Sequence, residues 1–164
     1  MELELCVVAG KPAVLFVCLG NICRSPLAEA ALKAEAARIG LDVDVDSAGI
    51  GDWHTGEPPD PRAQAVAKRH GIDISFYRAR KVTRQDFLRF SHIVALDHEV
   101  FAALKRMRPA NATAELSLLL DHVEGREGEA VTDPYYGDET DFENVWTDVA
   151  EGARGLARWI AAQK

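Results

Sequence analysis

The stretch Val14-Leu-Phe-Val-Cys-Leu-Gly-Asn-Ile-Cys-Arg-Ser-Pro26 constrains the fold more than any other part of the chain. An apolar run ends at Cys18, five residues separate Cys18 from Arg24, and Ser25-Pro26 opens an alanine-rich helical pattern. That order reads as strand, loop, helix. The uninterrupted Ala13–Cys18 run suits a central parallel strand covered on both faces.

Such a junction favours an anion. A tight loop ahead of a helix turns successive backbone N–H groups inward as a nest, and the helix N-terminus adds free donors and partial positive charge. Gly20 and Asn21 are residue types that readily take positive φ, which a tight ring requires. Arg24 can offer a planar fork to two oxygens of a phosphate. Cys18, at the base of the ring, lies in a field that favours a nucleophilic thiolate.

At 164 residues the chain fits one domain with a substantial core. The formal net charge of −7 argues against nucleic acid as a partner, since backbone binders carry a basic face. It does not exclude one small phosphate group, because distant surface charges are screened beyond about 8–10 Å. No apolar run reaches the ~20 residues of a membrane span, and Met1-Glu-Leu-Glu-Leu lacks the basic start of a signal peptide. These features predict a soluble, cytoplasmic protein with no membrane partner. The three cysteines, Cys6, Cys18 and Cys23, are an odd number without metal-type pairing. Cys18 and Cys23 share one curled loop, so they either meet under oxidation or Cys23 fills a small buried space.

Residues 1–12 read as a short extension and 13–164 as the domain. Helix stripes and strands then alternate. Ser25 and Pro26 suit N-cap and N1 of a helix with Ala28, Ala31, Leu32, Ala36 and Ile39 on one face, ending at Gly40. Asp42–Asp46 alternates like a half-buried edge strand, and Asp60-Pro61 starts a helix that stops at His70-Gly71. Arg78, Arg80 and Lys81 read as a solvated face, with a short helix after Thr83. His92–Leu96 is an internal strand with Asp97 at its C-terminal end, where open α/β sheets collect ligands. A helix over His98–Met107 precedes a fourth strand over Ala114–Leu120. The final helix, from Glu139, carries Phe142, Val145, Trp146, Val149, Ala153, Leu156 and Ile160 on one stripe. The expected fold is α/β: a single-domain three-layer sandwich whose four-stranded parallel sheet has order 2-1-3-4 and helices on both faces.

Asp133-Pro-Tyr-Tyr-Gly-Asp138 supplies a second chemical group. A leaving oxygen needs a proton, a carboxylic acid can donate it, and Pro134 fixes the turn that carries Asp133. Tyr135 and Tyr136 can flank an aromatic substrate.

Cys18-Leu-Gly-Asn-Ile-Cys-Arg-Ser-Pro26 strongly resembles the phosphate loop of the low-molecular-weight protein tyrosine phosphatases, and Asp133-Pro-Tyr-Tyr-Gly resembles their general-acid loop. The resemblance extends over Asp46-Ser-Ala48, Asp52-Trp53, Asp60-Pro-Arg62 and His70-Gly-Ile72, nearly everything from residue 13 onward. It implies Cys18 as nucleophile, Arg24 as phosphate clamp and Asp133 as acid and then base. It also implies that Leu19, Ile22, Trp53, Tyr135 and Tyr136 wall a cleft for a phenyl ring above the loop residues Gly20, Asn21 and Cys23. Ser25 would donate toward the thiolate, and Ser47 and His70 would hold Asn21. No metal and no cofactor is implied, and the partners would be a phosphotyrosine-containing protein and inorganic phosphate, with a monomer or weak dimer as the assembly.

Three other functions compete. Thioredoxin-coupled arsenate reductases look similar but need further cysteines downstream, and none follows Cys23. Protein arginine phosphatases share the scaffold but resemble one another in having Thr where Ile22 stands. A phosphate-binding module without turnover would not need Cys18, Arg24 and Asp133 together.

Overall fold

The computed structural model describes residues 11–163, so Cys6 and most of the expected extension lie outside the described residues. Four strands form one parallel sheet: β1 (Ala13–Cys18), β2 (Asp44–Gly49), β3 (His92–Ala95) and β4 (Glu115–Leu118), in the order β2-β1-β3-β4. The helices are α1 (Arg24–Ile39), α2 (Pro61–Arg69), α3 (Asp86–Arg89), α4 (His98–Met107) and α5 (Glu139–Ala162), with a 3-10 turn over Leu119–His122. The expected order 2-1-3-4 and the alternation of strands with helices are both found.

The period of two along β1 divides the core. Val14, Phe16 and Cys18 join a cluster with Leu27 and Leu32 of α1, Val66 of α2 and Phe142, Val149 and Leu156 of α5. Leu15 and Val17 face the other way, onto Phe87, Phe90, Val100 and Leu104. Parallel crossovers cover both faces, which is why β1 has no polar residue. Its C-terminal end, at Cys18, is therefore the rim where loops from four strands converge.

Several boundaries differ from the sequence expectation. α1 begins at Arg24 with Cys23 at the N-cap, so Pro26 is the third helical residue and not the first. The first four helical N–H groups have no intrahelical acceptor, so proline is tolerated there. Ser25 is thereby not a cap, and its hydroxyl is free for the site. β2 starts at Asp44 and continues to Gly49, farther along than the Asp/Val alternation indicates. The fourth strand ends at Leu118, where the chain turns into the 3-10 turn. α4 and α5 begin where the sequence places them, each behind an aspartate cap: Asp97 accepts from Val100 N at 2.8 Å and Asp138 from Asp141 N at 3.1 Å.

Away from the ligand rim, His92 and His122 flank the Trp159 ring, each 5.2 Å from its centroid. His92 is buried, and its Nε2 has no partner among the described residues. Burial lowers the pKa of both imidazoles, His92 having Glu115 as an opposing influence and His122 having Asp121 and Glu115. Because the folded state then binds fewer protons than the unfolded state, stability falls as pH drops below about 6.5. Thermal melts at pH 7.5 and 5.5 should show this loss in the wild type and a smaller one in His92→Asn; equal losses would contradict it.

Candidate active site

The loop after β1 is shaped by pulling its carbonyls outward. Cys18 O accepts from Ile50 N at 3.0 Å, Leu19 O from Gly51 N at 3.0 Å, and Ile22 O from Asp60 N at 2.9 Å. No N–H from Leu19 to Ser25 donates to another described residue. With the carbonyls outside, those donors are left to line the concave side, above Cys18. Gly49 lets β2 approach this closely: a Cβ there would sit 3.0 Å from both Gly20 C and Leu19 O.

Asn21 holds the ring in shape at φ 61°, the one left-handed residue besides glycine among the described residues. Its hydrogen bonds can be assigned from donors alone. Arg80 N–H can only donate, so the amide atom 3.0 Å away is Asn21 Oδ1, and Nδ2 faces the other side. The two Nδ2 hydrogens go to Ser25 Oγ at 2.8 Å and Ser47 Oγ at 3.0 Å. Ser47 passes its own hydrogen to Glu29 Oε1 at 2.7 Å. Ser25 Oγ already accepts, so its hydrogen points at Cys18 Sγ, 3.0 Å away, in preference to Ala48 O at 3.5 Å. The network thus aims a hydroxyl donor at the sulfur, where it stabilises negative charge.

His70 takes no part in it, contrary to the expectation. It closes α2 with its ring outward, stacked on Trp146 at 4.8 Å and 3.1 Å from Glu143 Oε1. His70, followed by Arg69, holds the Glu143 carboxyl below its usual range. The partners of the Asn21–Ser47 unit are instead the Arg80 backbone and Glu29. Burial raises the Glu29 carboxyl above its usual range, opposed by Lys33, 2.8 Å from Oε2, and by Ser47. Arg80 is likewise not part of a solvated face: its guanidinium bridges Asp46 at 3.1 Å and Asp86 at 3.0 Å. Glu29 stands one helical turn beyond Ser25, a spacing that could have revealed it.

Asn21→Ala removes three hydrogen bonds, two of them buried, and leaves a non-glycine residue in a left-handed conformation. It should cost about 2–4 kcal/mol of stability and lower kcat/KM about 10²-fold. Asn21→Gly, which relieves the backbone alone, should recover stability before activity; denaturant melts and steady-state kinetics on both variants separate the two.

Arg24 is 3% exposed, and one edge of its fork is occupied: Nη1 donates to Asp97 Oδ2 at 2.7 Å and to Val131 O at 2.9 Å. Burial works against its charge most strongly, yet Cys18, Asp97 and Asp133 together hold its pKa above the usual guanidinium range. Asp97 therefore both caps α4 and orients Arg24. The Asp133 carboxylate reaches Arg24 Nη2 at 3.7 Å and accepts from Tyr135 N at 3.1 Å, a local turn that sets its angle. Cys18 and Cys23 are both free and buried, and burial pushes the Cys23 thiol well up.

Above the loop lies a cleft of about 230 Å³, lined by Cys18, Leu19, Gly20, Ile22, Cys23, Arg24, Trp53, His54, Asp133, Tyr135 and Tyr136. Trp53 is 65% exposed and Tyr136 97%, so aromatic surface stands open at its mouth. A thiol at the floor, inward N–H groups, a buried guanidinium and a carboxyl at the rim suit nucleophilic transfer of a phosphoryl group.

A family model described as low molecular weight phosphotyrosine protein phosphatase matches residues 13–164. The chain belongs to this family. It is 42% identical over 154 residues to the low molecular weight protein-tyrosine-phosphatase YfkJ of Bacillus subtilis, covering 93% of this chain and 97% of that protein. The human low molecular weight phosphotyrosine protein phosphatase is 40% identical over 147 residues, covering 88% of this chain and 92% of that one. The crystal structure of YfkJ superposes with a TM-score of 0.88 at 41% identity, covering 95% of this chain and 98% of that one. A Drosophila arginine phosphatase superposes with a TM-score of 0.86 at 32% identity, covering 92% and 99%. The phosphatase fold thus includes relatives with different named substrates, and the choice between them rests on the cleft.

Proposed function

We propose that the protein hydrolyses phosphotyrosine in proteins through a phosphoryl-cysteine intermediate. The carrying observation is the convergence of Cys18, Arg24 and Asp133 in one aromatic-walled cleft. Cys18 Sγ attacks phosphorus while the N–H groups of residues 19–25 and Arg24 take up the charge on the three phosphoryl oxygens. The Asp133 carboxyl protonates the departing tyrosine oxygen, and the resulting carboxylate takes a proton from the water that cleaves the S–P bond. Inorganic phosphate leaves and competes as an inhibitor. Leu19, Ile22, Trp53, Tyr135 and Tyr136 flank the phenyl ring. The charge is met by protein donors, so neither metal nor cofactor enters the scheme.

Phosphoarginine is the competing substrate, and the wall composition disfavours it. A guanidinium leaving group calls for carboxylates around it, whereas Asp133 is the one carboxylate among the described cleft residues and Ile22 contributes only an apolar surface. Paired peptides of one sequence, carrying phosphotyrosine or phosphoarginine, test this. The expected kcat/KM preference for phosphotyrosine is at least about 10²-fold; the reverse preference would assign the chain to the arginine phosphatases.

No helix among the described residues is long and apolar enough to cross a membrane. We place the enzyme in the cytoplasm as a monomer or weak dimer acting on proteins, and the net charge of −7 disfavours nucleic acid as a partner.

A further inference from the structure

We propose that Arg62 is a positioning residue for Asp133, a strut between the phosphate loop and the loop that carries the acid; this rests on the reading of Asp133 as proton donor. Asp60 N donates to Ile22 O at 2.9 Å, so the start of α2 already braces the phosphate loop. The Asp60 carboxylate then grips Arg62 three ways, accepting from its backbone N at 2.8 Å, Nε at 3.0 Å and Nη2 at 2.9 Å. A guanidinium held in that fork has lost its rotational freedom, and its remaining edge has one direction to point.

That edge meets the acid loop. Nη1 donates to Gly137 O at 3.2 Å, and the guanidinium carbon stands 4.6 Å from the Phe142 ring centroid and 5.7 Å from that of Tyr135. Gly137 closes the turn that Pro134 opens, its N–H donating to Pro134 O at 2.8 Å. Beyond the Tyr135 N–H at 3.1 Å and Arg24 at 3.7 Å, no described residue holds the Asp133 carboxylate, which is 47% exposed. Arg62 does not line the cleft, so it acts through the loop and not on substrate.

The test uses two substrates. Phenyl phosphate needs its leaving oxygen protonated, whereas 4-nitrophenyl phosphate expels a stabilised phenolate that needs little help. Arg62→Ala should lower kcat/KM about tenfold on phenyl phosphate and less than about twofold on the nitrophenyl ester, with inhibition by inorganic phosphate unchanged. In an Asp133→Ala background the same substitution should cost nothing further. Arg62→Lys, which keeps the charge but cannot hold Asp60 and Gly137 together, should lie between and serves if the alanine variant does not fold. Equal losses on both substrates, a weakened phosphate inhibition, or additive losses in the double variant would overturn the proposal. So would Arg62 variants that behave as wild type while Asp133→Ala discriminates between the substrates. An Asp133→Ala that fails to discriminate would overturn the acid assignment, and this proposal with it.

Discussion

Cys18→Ser is expected to abolish turnover of aryl phosphates, with kcat falling by about 10⁴-fold or more, while inorganic phosphate still binds. The substitution changes one atom in a buried position at the end of β1, so packing against Val14, Phe16 and Leu27 is retained. What is lost is the nucleophile: a serine hydroxyl holds its proton far more tightly than a thiol, and no imidazole or carboxylate among the described residues stands in hydrogen-bonding contact with this sulfur to remove it. The N–H groups of residues 19–25 and the Arg24 fork are unaffected, which separates binding from chemistry. Steady-state kinetics with 4-nitrophenyl phosphate, beside calorimetric titration of phosphate, reads both. Residual activity within tenfold of wild type would show that Cys18 is not the attacking atom.

Asp133→Ala should lower kcat/KM for phosphotyrosine by about 10²–10³-fold and steepen the dependence on the basicity of the leaving group. The residue caps nothing and is half-exposed, so its removal should leave the melting temperature within a few degrees of wild type. The loss reflects a tyrosine oxygen that departs without a proton. Asp133→Asn separates the proton from the shape: it keeps the turn acceptor for Tyr135 N–H yet cannot donate or take a proton as the acid does, and it should be as impaired as the alanine. An asparagine variant with near wild-type kcat/KM would assign Asp133 a purely structural role.

How much of this was legible in the sequence depended on the range of each interaction. Ala13–Cys18 and His92–Leu96 read as internal strands because burial on both faces leaves no polar residue facing water, the second ending one residue earlier at Ala95, and α5 is legible because its apolar stripe recurs at helical spacing. These are local signals, and the topology rules for parallel sheets then fix the order. α1 starts two residues before the expected position because Ser-Pro suits a helix start equally well, and only the demand of the Cys18 sulfur decides between the two.

Long-range partners were harder. The Arg24–Asp97 and Arg24–Val131 contacts span 73 and 107 residues, and no spacing in the chain encodes them. The resemblance places His70 beside Asn21, whereas its ring faces α5; Asn21 is held by Ser25, Ser47 and the Arg80 backbone, with Glu29 behind Ser47. A backbone N–H is invisible to any reading of side-chain types. Beyond its spacing from Ser25, Glu29 gives no signal in the sequence because a glutamate on an alanine-rich helix ordinarily faces water, and its burial follows from Lys33 and Ser47 closing over it.

The most direct test of the central claim is to catch the intermediate. Asp133→Ala mixed with 4-nitrophenyl phosphate should phosphorylate itself readily, because that leaving group needs little proton donation, and release phosphate slowly, because the base for water is gone. Acid quenching followed by intact-mass and peptide mass spectrometry should find one added phosphoryl group on Cys18, and none when Cys18 is also replaced by serine. A burst of nitrophenolate with the phosphoryl group on another residue, or with none on the protein, would contradict a phosphatase built around Cys18.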